Sequence, residues 1–211
     1  MPRRTIPFVP GFYYHIYNRG NNRQKIFFQP ENYRYFLHNM KKHLASVASI
    51  MAYCLMPTHY HILAEVKTSE FSAESSNDDK EQVKNSEVSI SNAMMRLSVS
   101  YTKAINKRFS RVGSLFQGQF QARPIRNDAH LLNLCAYIHA NPVKDGLVAL
   151  PEDWIYSNYL EWLGRRTEPL VDREFVHEHF GSPAEYQKLV MHFVTTRYVP
   201  EDMRSYLQTF E

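Results

Sequence analysis

The sequence predicts an α+β fold, an antiparallel β-sheet with helices packed on one face. Short β-branched and aromatic runs alternate with stretches whose apolar residues recur at helical spacing. Their order reads β-α-β-β-α-β-α, which suits a sandwich of one sheet and one helix layer. A chain of 211 residues, 44% hydrophobic and 14% aromatic, is long enough for one domain with a generous core and a small appendage. No apolar run is long enough to span a bilayer, and the basic start Met1-Pro2-Arg3-Arg4 is not followed by an apolar signal-peptide core. The two cysteines, Cys54 and Cys135, sit inside apolar patterns, so buried free thiols in a reducing cytoplasm are expected. Their number excludes a zinc centre built on cysteine.

Phe12 to Tyr17 is aromatic and β-branched enough for a strand, and it ends in the polar, basic loop Asn18-Arg19-Gly20-Asn21-Asn22-Arg23. Pro30 and Glu31 open a helix through about Lys42, with Tyr33, Phe36, Leu37, Met40 and Leu44 as its apolar stripe. Two strands follow, around Ile50–Leu55 and Ile62–Val66, joined through Pro57-Thr58. Residues 68–89 are serine-rich, acidic and aperiodic, and read as a flexible acidic insertion. Ser91 then caps a helix to about Lys107, with Met94, Leu97, Tyr101 and Ile105 inward. A strand is expected over Phe120–Ile125. Asp128 caps a further helix to about Ala140, where Pro142 disfavours helical geometry at Asn141. Helical stretches over Tyr156–Leu163 and 172–210 complete the chain. The expected division is a domain over 1–164 and a helical C-terminal extension over 165–211. The sheet order suits a ferredoxin-like arrangement.

Charge is distributed unevenly. Six acids and two lysines lie between Glu70 and Glu87, so the remaining chain carries 23 basic and 15 acidic residues. From Val88 to Asn127 there is no acid, while Arg96, Lys103, Lys107, Arg108, Arg111, Arg123 and Arg126 occur together with Phe109, Phe116 and Phe120. Bases interleaved with aromatics suit single-stranded nucleic acid, because the charges neutralise phosphates and the rings stack on bases. An ordinary helix with a solvated basic face has the same pattern. Arg19 and Arg23 fit phosphate or base contacts, and equally a solvated loop.

The densest chemical signal is Met56-Pro57-Thr58-His59-Tyr60-His61-Ile62-Leu63. On a strand, His59 and His61 share one face and Tyr60 takes the other. Their Cα atoms would lie about 6 to 7 Å apart, within reach of one divalent metal. Two ligands alone do not make a metal site. The second such pair, His177-Glu178-His179, falls in a helical context where the rings diverge by about 200°, and is rejected. Tyr137 and Asn141 are i, i+4 neighbours on one side of their helix. His139 points toward a different side and reads as structural or as a DNA contact.

Three segments in order carry a resemblance to a known family. They are Tyr14-His15-Ile16-Tyr17-Asn18-Arg19-Gly20-Asn21-Asn22-Arg23, then Met56 to Leu63, then Tyr137-Ile138-His139-Ala140-Asn141-Pro142-Val143-Lys144-Asp145-Gly146-Leu147-Val148. A Gly-rich linker, Gly113-Ser114-Leu115-Phe116-Gln117-Gly118, lies between the last two. Over about Phe12 to Leu163 the chain resembles a REP-associated tyrosine transposase, a branch of the single-tyrosine HUH endonucleases and transposases. The resemblance implies that His59 and His61 hold Mg²⁺ or Mn²⁺ and that Tyr137 is the nucleophile. Attack by Tyr137 on single-stranded DNA would give a 5′-phosphotyrosyl enzyme and a free 3′-hydroxyl. Asn141 stands where broader relatives carry a glutamine as third ligand, so direct ligation and a water-mediated contact both stay open. His15 matches a first-strand histidine that contacts substrate, the metal shell or only its structural neighbours.

The expected function is therefore a metal-dependent single-stranded DNA endonuclease and strand transferase acting on REP-type hairpins. Its expected DNA contacts are Arg19, Arg23, Lys103, Lys107, Arg108, Arg111, Arg123 and Arg126. A cytoplasmic, nucleoid-associated protein without membrane contact follows from this reading, with monomer and homodimer both open. Two other functions compete: a hairpin-binding regulatory module without the reaction, and a metal phosphodiesterase that uses water as nucleophile. Formation of a covalent tyrosine adduct separates the first from both.

Overall fold

The computed structural model describes residues 7–67, 79–167, 173–196 and 204. The chain order is β1 (Tyr13–Arg19), α1 (Pro30–Leu44), β2 (Ala48–Met56), β3 (His59–Val66), α2 (Asp79–Arg108), β4 (Gln121–Pro124), α3 (Asp128–Lys144), α4 (Tyr159–Trp162), α5 (Arg173–Phe180) and α6 (Pro183–Thr196). The strands form one four-stranded sheet in the order β2-β3-β1-β4. Both β3 and β4 pair antiparallel with β1. Read from the other edge the order is 4-1-3-2, which with the sequence β-α-β-β-α-β is the ferredoxin-like topology. The expected α+β antiparallel sheet is thus the observed one. The chain clusters into two compact units, Met1–Ile50 with Leu55–Pro124, and Met51–Cys54 with Ile125–Glu211.

In the first unit, strand alternation separates the two faces of the sheet. Tyr14 and Ile16 of β1 and Tyr60, Ile62 and Ala64 of β3 share one face and are buried. Phe36 of α1 meets Tyr60 with ring centroids 5.0 Å apart, and Tyr101 of α2 meets Phe36 edge-on at 5.0 Å. The helix layer therefore covers this face, and the alternate residues of each strand belong to the other. Phe27 stacks on Tyr33 at 4.4 Å and meets Phe36 at 5.3 Å, extending the aromatic core. The Tyr101 hydroxyl donates to the Ile26 carbonyl at 2.8 Å, which gives this buried polar group a partner.

Several boundaries differ from the sequence reading. α2 begins at Asp79, so the second half of the expected acidic insertion is helical. The run Asp79-Lys80-Glu81-Gln82 is rich in helix formers. Residues 68–78 lie outside the described residues. α3 is capped by Asn127 and not Asp128: the Asn127 carboxamide oxygen accepts from the His130 amide at 2.8 Å. α3 also runs through Pro142 to Lys144, because proline costs only the bond to the Ile138 carbonyl when the last turn closes by other bonds. The Asp145 amide bonds the Asn141 carbonyl at 2.9 Å, and Gly146 takes φ 69° just beyond. The helix expected from Tyr156 shrinks to Tyr159–Trp162, since Ser157 bridges Cys54 and Asn158 is committed to β2. The expected C-terminal helix is two helices, α5 and α6, among the described residues.

In the second unit α3 packs on α6 and α4 on α5. A connected set of polar side chains lies in its interior. The Asn158 carboxamide oxygen accepts from the Tyr53 amide at 2.6 Å, and its NH₂ donates to the Met51 carbonyl at 2.7 Å. That orientation makes His139 Nε2 the donor to Asn158 Oδ1 at 2.8 Å, so His139 Nδ1 accepts from the Tyr186 hydroxyl at 2.5 Å. His139 is therefore structural. A second buried group, the Glu161 carboxylate, is gripped by both Nε and Nη2 of Arg166 at 2.6 and 2.8 Å. Arg166 also donates to the carbonyls of Ile155 and Ser157. Cys54 and Cys135 are buried free thiols, and burial pushes both well above their usual range. No helix of the described residues is long and apolar enough to cross a membrane.

Burial lowers the His139 imidazole from 6.5 to about 4, with the bond to Asn158 partly opposing. The unfolded chain then binds a proton that the folded chain refuses. Stability is fully present above about pH 6.5 and is lost as pH falls toward about 4, by about 3 kcal/mol. Denaturant titrations at pH 7 and pH 4.5 should show that loss, and His139→Gln should flatten it.

Candidate active site

The β1–β3 register sets the geometry on the sheet face opposite α1 and α2. Tyr17 stands opposite His61, Arg19 opposite His59, and His15 opposite Leu63. On the other side of β1, β4 brings Arg123 opposite His15. His15 and His61 are thus diagonal neighbours across two strands, close enough for long side chains to meet. Nε2 of His15 lies 2.8 Å from Nδ1 of His61, and both rings are buried. The ring centroids of His59 and His61 are 5.0 Å apart with planes at 83°. Nδ1 of His59 lies 3.0 Å from the Thr58 hydroxyl, supplied by the turn that joins β2 to β3. Tyr17 packs against His15 at 5.0 Å and His61 at 6.4 Å, which fixes the imidazoles further.

Tyr137 and Asn141 belong to the second unit, one turn apart on α3. Both are buried, Tyr137 at 5% exposure and Asn141 at 2%. Lys144 sits two turns after Tyr137. Its ammonium is 3.5 Å from the Tyr137 hydroxyl and 5.1 Å from the ring centroid. A cation there favours negative charge on the phenolic oxygen. Nδ2 of Asn141 is buried without a hydrogen-bond partner among the described residues. A half-turn of the amide places its carbonyl oxygen there, a competent metal ligand or acceptor.

The donor set fits a divalent cation in kind. Two imidazoles share one strand face, and in each the Nδ1 atom is engaged by a neighbour, an arrangement common in metal-binding histidines. Among the described residues no three His, Cys, Asp or Glu side chains cluster as a ligand set.

Within the first unit the expected basic contacts fall on both sides of the sheet. Arg19 and Arg123 lie on the face of the histidine pair, and Arg23 is exposed in the loop after β1. Lys103, Lys107 and Arg108 are exposed on α2, which belongs to the layer over the opposite face. Arg111, just beyond α2, stands 5.9 Å over the Phe28 ring, and Phe28 packs on Phe109 at 4.7 Å. Arg126 is exposed in the second unit. His177 and His179 are on α5, where Nδ1 of His179 bonds the Phe175 carbonyl at 3.1 Å. Sequence reasoning missed Tyr17, Thr58 and Lys144. Ending α3 at Ala140 hid Lys144, whose i+7 spacing from Tyr137 marks the same helix side once the helix continues.

No family model matches the chain. A protein of Haemophilus influenzae, provisionally named a REP-associated tyrosine transposase, is 28% identical over 118 residues. The match covers 52% of this chain and 57% of that relative, so the chain spans little more than half of the relative's length. The solved structure of the REP-associated tyrosine transposase bound to a REP hairpin superposes with a TM-score of 0.58. It covers 82% of this chain and 94% of that one at 19% identity, a likeness of fold. The chain resembles the REP-associated tyrosine transposases. A bacterial tRNA(His) guanylyltransferase-like protein in complex with GTP, at TM-score 0.45 and 9% identity, carries no argument.

Gly20 couples Arg19 to the loop that carries Arg23. A Cβ at this position would lie 2.0 Å from the Gln24 carbonyl oxygen and 3.1 Å from Ile26 Cγ2. Gly20→Ala should therefore destabilise the first unit by about 2 kcal/mol, read as a lower midpoint in chemical denaturation.

Proposed function

We propose that the chain is a metal-dependent, tyrosine-nucleophile transposase that nicks and rejoins single-stranded DNA at REP-type hairpins. The observation that carries this reading is the presentation of His59 and His61 on the sheet face opposite the helix layer, in a chain similar by sequence and fold to REP-associated tyrosine transposases. His59 and His61 would hold Mg²⁺ or Mn²⁺, with Asn141 as a candidate third ligand. When bound, such an ion supplies charge stabilisation at a phosphate oxygen.

Tyr137 attacks the phosphorus of the scissile phosphodiester. The bond from its phenolic oxygen to phosphorus forms as the bond from phosphorus to the 3′-oxygen breaks. The phenolic proton passes to solvent, and the leaving 3′-oxygen takes up a proton as it becomes a hydroxyl. Lys144 holds the phenolic oxygen during attack through its 3.5 Å contact. Because the phosphodiester is stored on Tyr137, a second 3′-hydroxyl can reverse the step without an external energy source. Arg19, Arg23 and Arg123 contact the strand near the scissile phosphate. Lys103, Lys107, Arg108, Arg111 and Arg126 supply further contacts to the DNA backbone. The protein works in the cytoplasm at the nucleoid, as a monomer or a homodimer.

Intact-protein mass spectrometry after incubation with Mn²⁺ and a REP hairpin carrying single-stranded flanks tests the mechanism. A mass increase equal to a DNA fragment is expected, absent in Tyr137→Phe and in His59→Ala. Hairpin binding with no adduct would leave the regulatory, non-cleaving module as the function. Lys144→Ala should slow adduct formation roughly tenfold or more, as expected for loss of a charge-assisted hydrogen bond. Substitution of a phosphate-contacting arginine such as Arg19→Ala or Arg123→Ala should reduce the slope of log affinity against log salt by about 0.7 per contact to a single strand.

A further inference from the structure

We propose that His15 is a positioning residue that orients His61 for cation binding, by accepting the proton on His61 Nδ1 and so turning Nε2 toward the cation. The inference rests on the reading above that His59 and His61 hold the cation.

The geometry carries it. Nε2 of His15 and Nδ1 of His61 are 2.8 Å apart, the rings are nearly parallel at 22°, and His15 is fully buried. A neutral imidazole carries one N–H, so this contact has two proton arrangements. If His15 Nε2 donates, the proton of His61 sits on its own Nε2, and that atom cannot coordinate. If His61 Nδ1 donates, Nε2 of His61 keeps its lone pair. Cation binding selects the second arrangement and places the His15 proton on Nδ1.

The strand pairing makes the selection rigid. Donor and acceptor stand on β1 and β3, diagonal in a register fixed along the whole length of β1. A half-turn of the His61 ring would exchange Nδ1 for a carbon and leave the buried His15 nitrogen facing it. His59 is held differently: its Nδ1 meets the Thr58 hydroxyl, which donates or accepts with equal ease. The constraint on proton position therefore falls on His61.

Long-range ¹H–¹⁵N correlation spectra of the ¹⁵N-histidine-labelled protein in the presence of the diamagnetic ion Mg²⁺ test the assignment without any variant. The expected result is His61 protonated on Nδ1, and protonation on Nε2 would overturn it. Calorimetric titration with Mn²⁺ gives the second readout. His15→Ala should weaken binding by about 10- to 100-fold, and His15→Gln, whose amide oxygen can accept the same proton, should recover most of the loss. An unchanged affinity in His15→Ala, or a loss that the glutamine leaves uncorrected, would overturn the role of His15. Nitrogen couplings from three imidazoles in the Mn²⁺ complex would make His15 a ligand and overturn it as well. His59→Ala leaves the His15–His61 contact in place and tests the metal reading separately. Mn²⁺ binding that survives this change overturns that reading, whereas binding lost in His59→Ala but indifferent to His15→Ala overturns only the inference about His15.

Discussion

The antiparallel register of β1 against β3 is the constraint on which the chemistry of the first unit depends. Side chains alternate across a strand, so a slip of one residue would send His59 and His61 into the helix layer and bring Tyr60 out. The register is held by what lies on the covered face: Tyr14, Ile16, Tyr60 and Ile62 are buried there, Tyr14 against Phe8 and Tyr60 against Phe36 of α1. Hydrophobic burial on one side thus positions polar groups on the other. His15, Tyr17 and Arg19 inherit their places from that same pairing, although nothing in their own chemistry favours a strand beyond the aromatic ring of Tyr17.

The second unit is organised by a different rule, the obligation to satisfy buried polar atoms. Asn158 uses both ends of its amide on the backbone of β2 and still accepts from His139, which in turn takes the Tyr186 hydroxyl. The chain from Tyr186 to Met51 therefore has one consistent direction of donation. His139 is held neutral chiefly by burial, which disfavours a second ring proton. The Glu161–Arg166 pair follows the same logic with charges, and the remaining Arg166 donors fall on two carbonyls.

Elements dominated by periodicity were legible in the sequence. The alternation in β1 and β3, the Pro57-Thr58 turn and the stripe Tyr33, Phe36 and Met40 of α1 follow from local pattern, and with them the shared face of His59 and His61. Features that depend on partners distant in the chain were not. That His15 meets His61 requires the β1–β3 register, and the commitment of Asn158 to β2 links residues separated by more than a hundred positions. The basic residues of the Val88–Asn127 stretch looked continuous along the chain, yet a helix on one side of a sheet and a strand within it present them in different directions. Pro142 misled in a simpler way, since a proline in the last turn of a helix forfeits one bond and does not end the helix.

The placement of Met51–Cys54 within the second unit limits how this protein can be cut, fused or inherited in pieces. The segment supplies the acceptor for the Asn158 amide and for the Trp162 indole N–H, both at the Met51 carbonyl, and the Tyr53 amide that Asn158 accepts. A fragment starting at Ile125 would carry Asn158 and Trp162 into its interior with those partners missing, each an uncompensated desolvation. The α3 to α6 part is therefore not an exchangeable module, despite lying almost wholly after the sheet in sequence. Recombination that keeps it intact must carry β2 along with it.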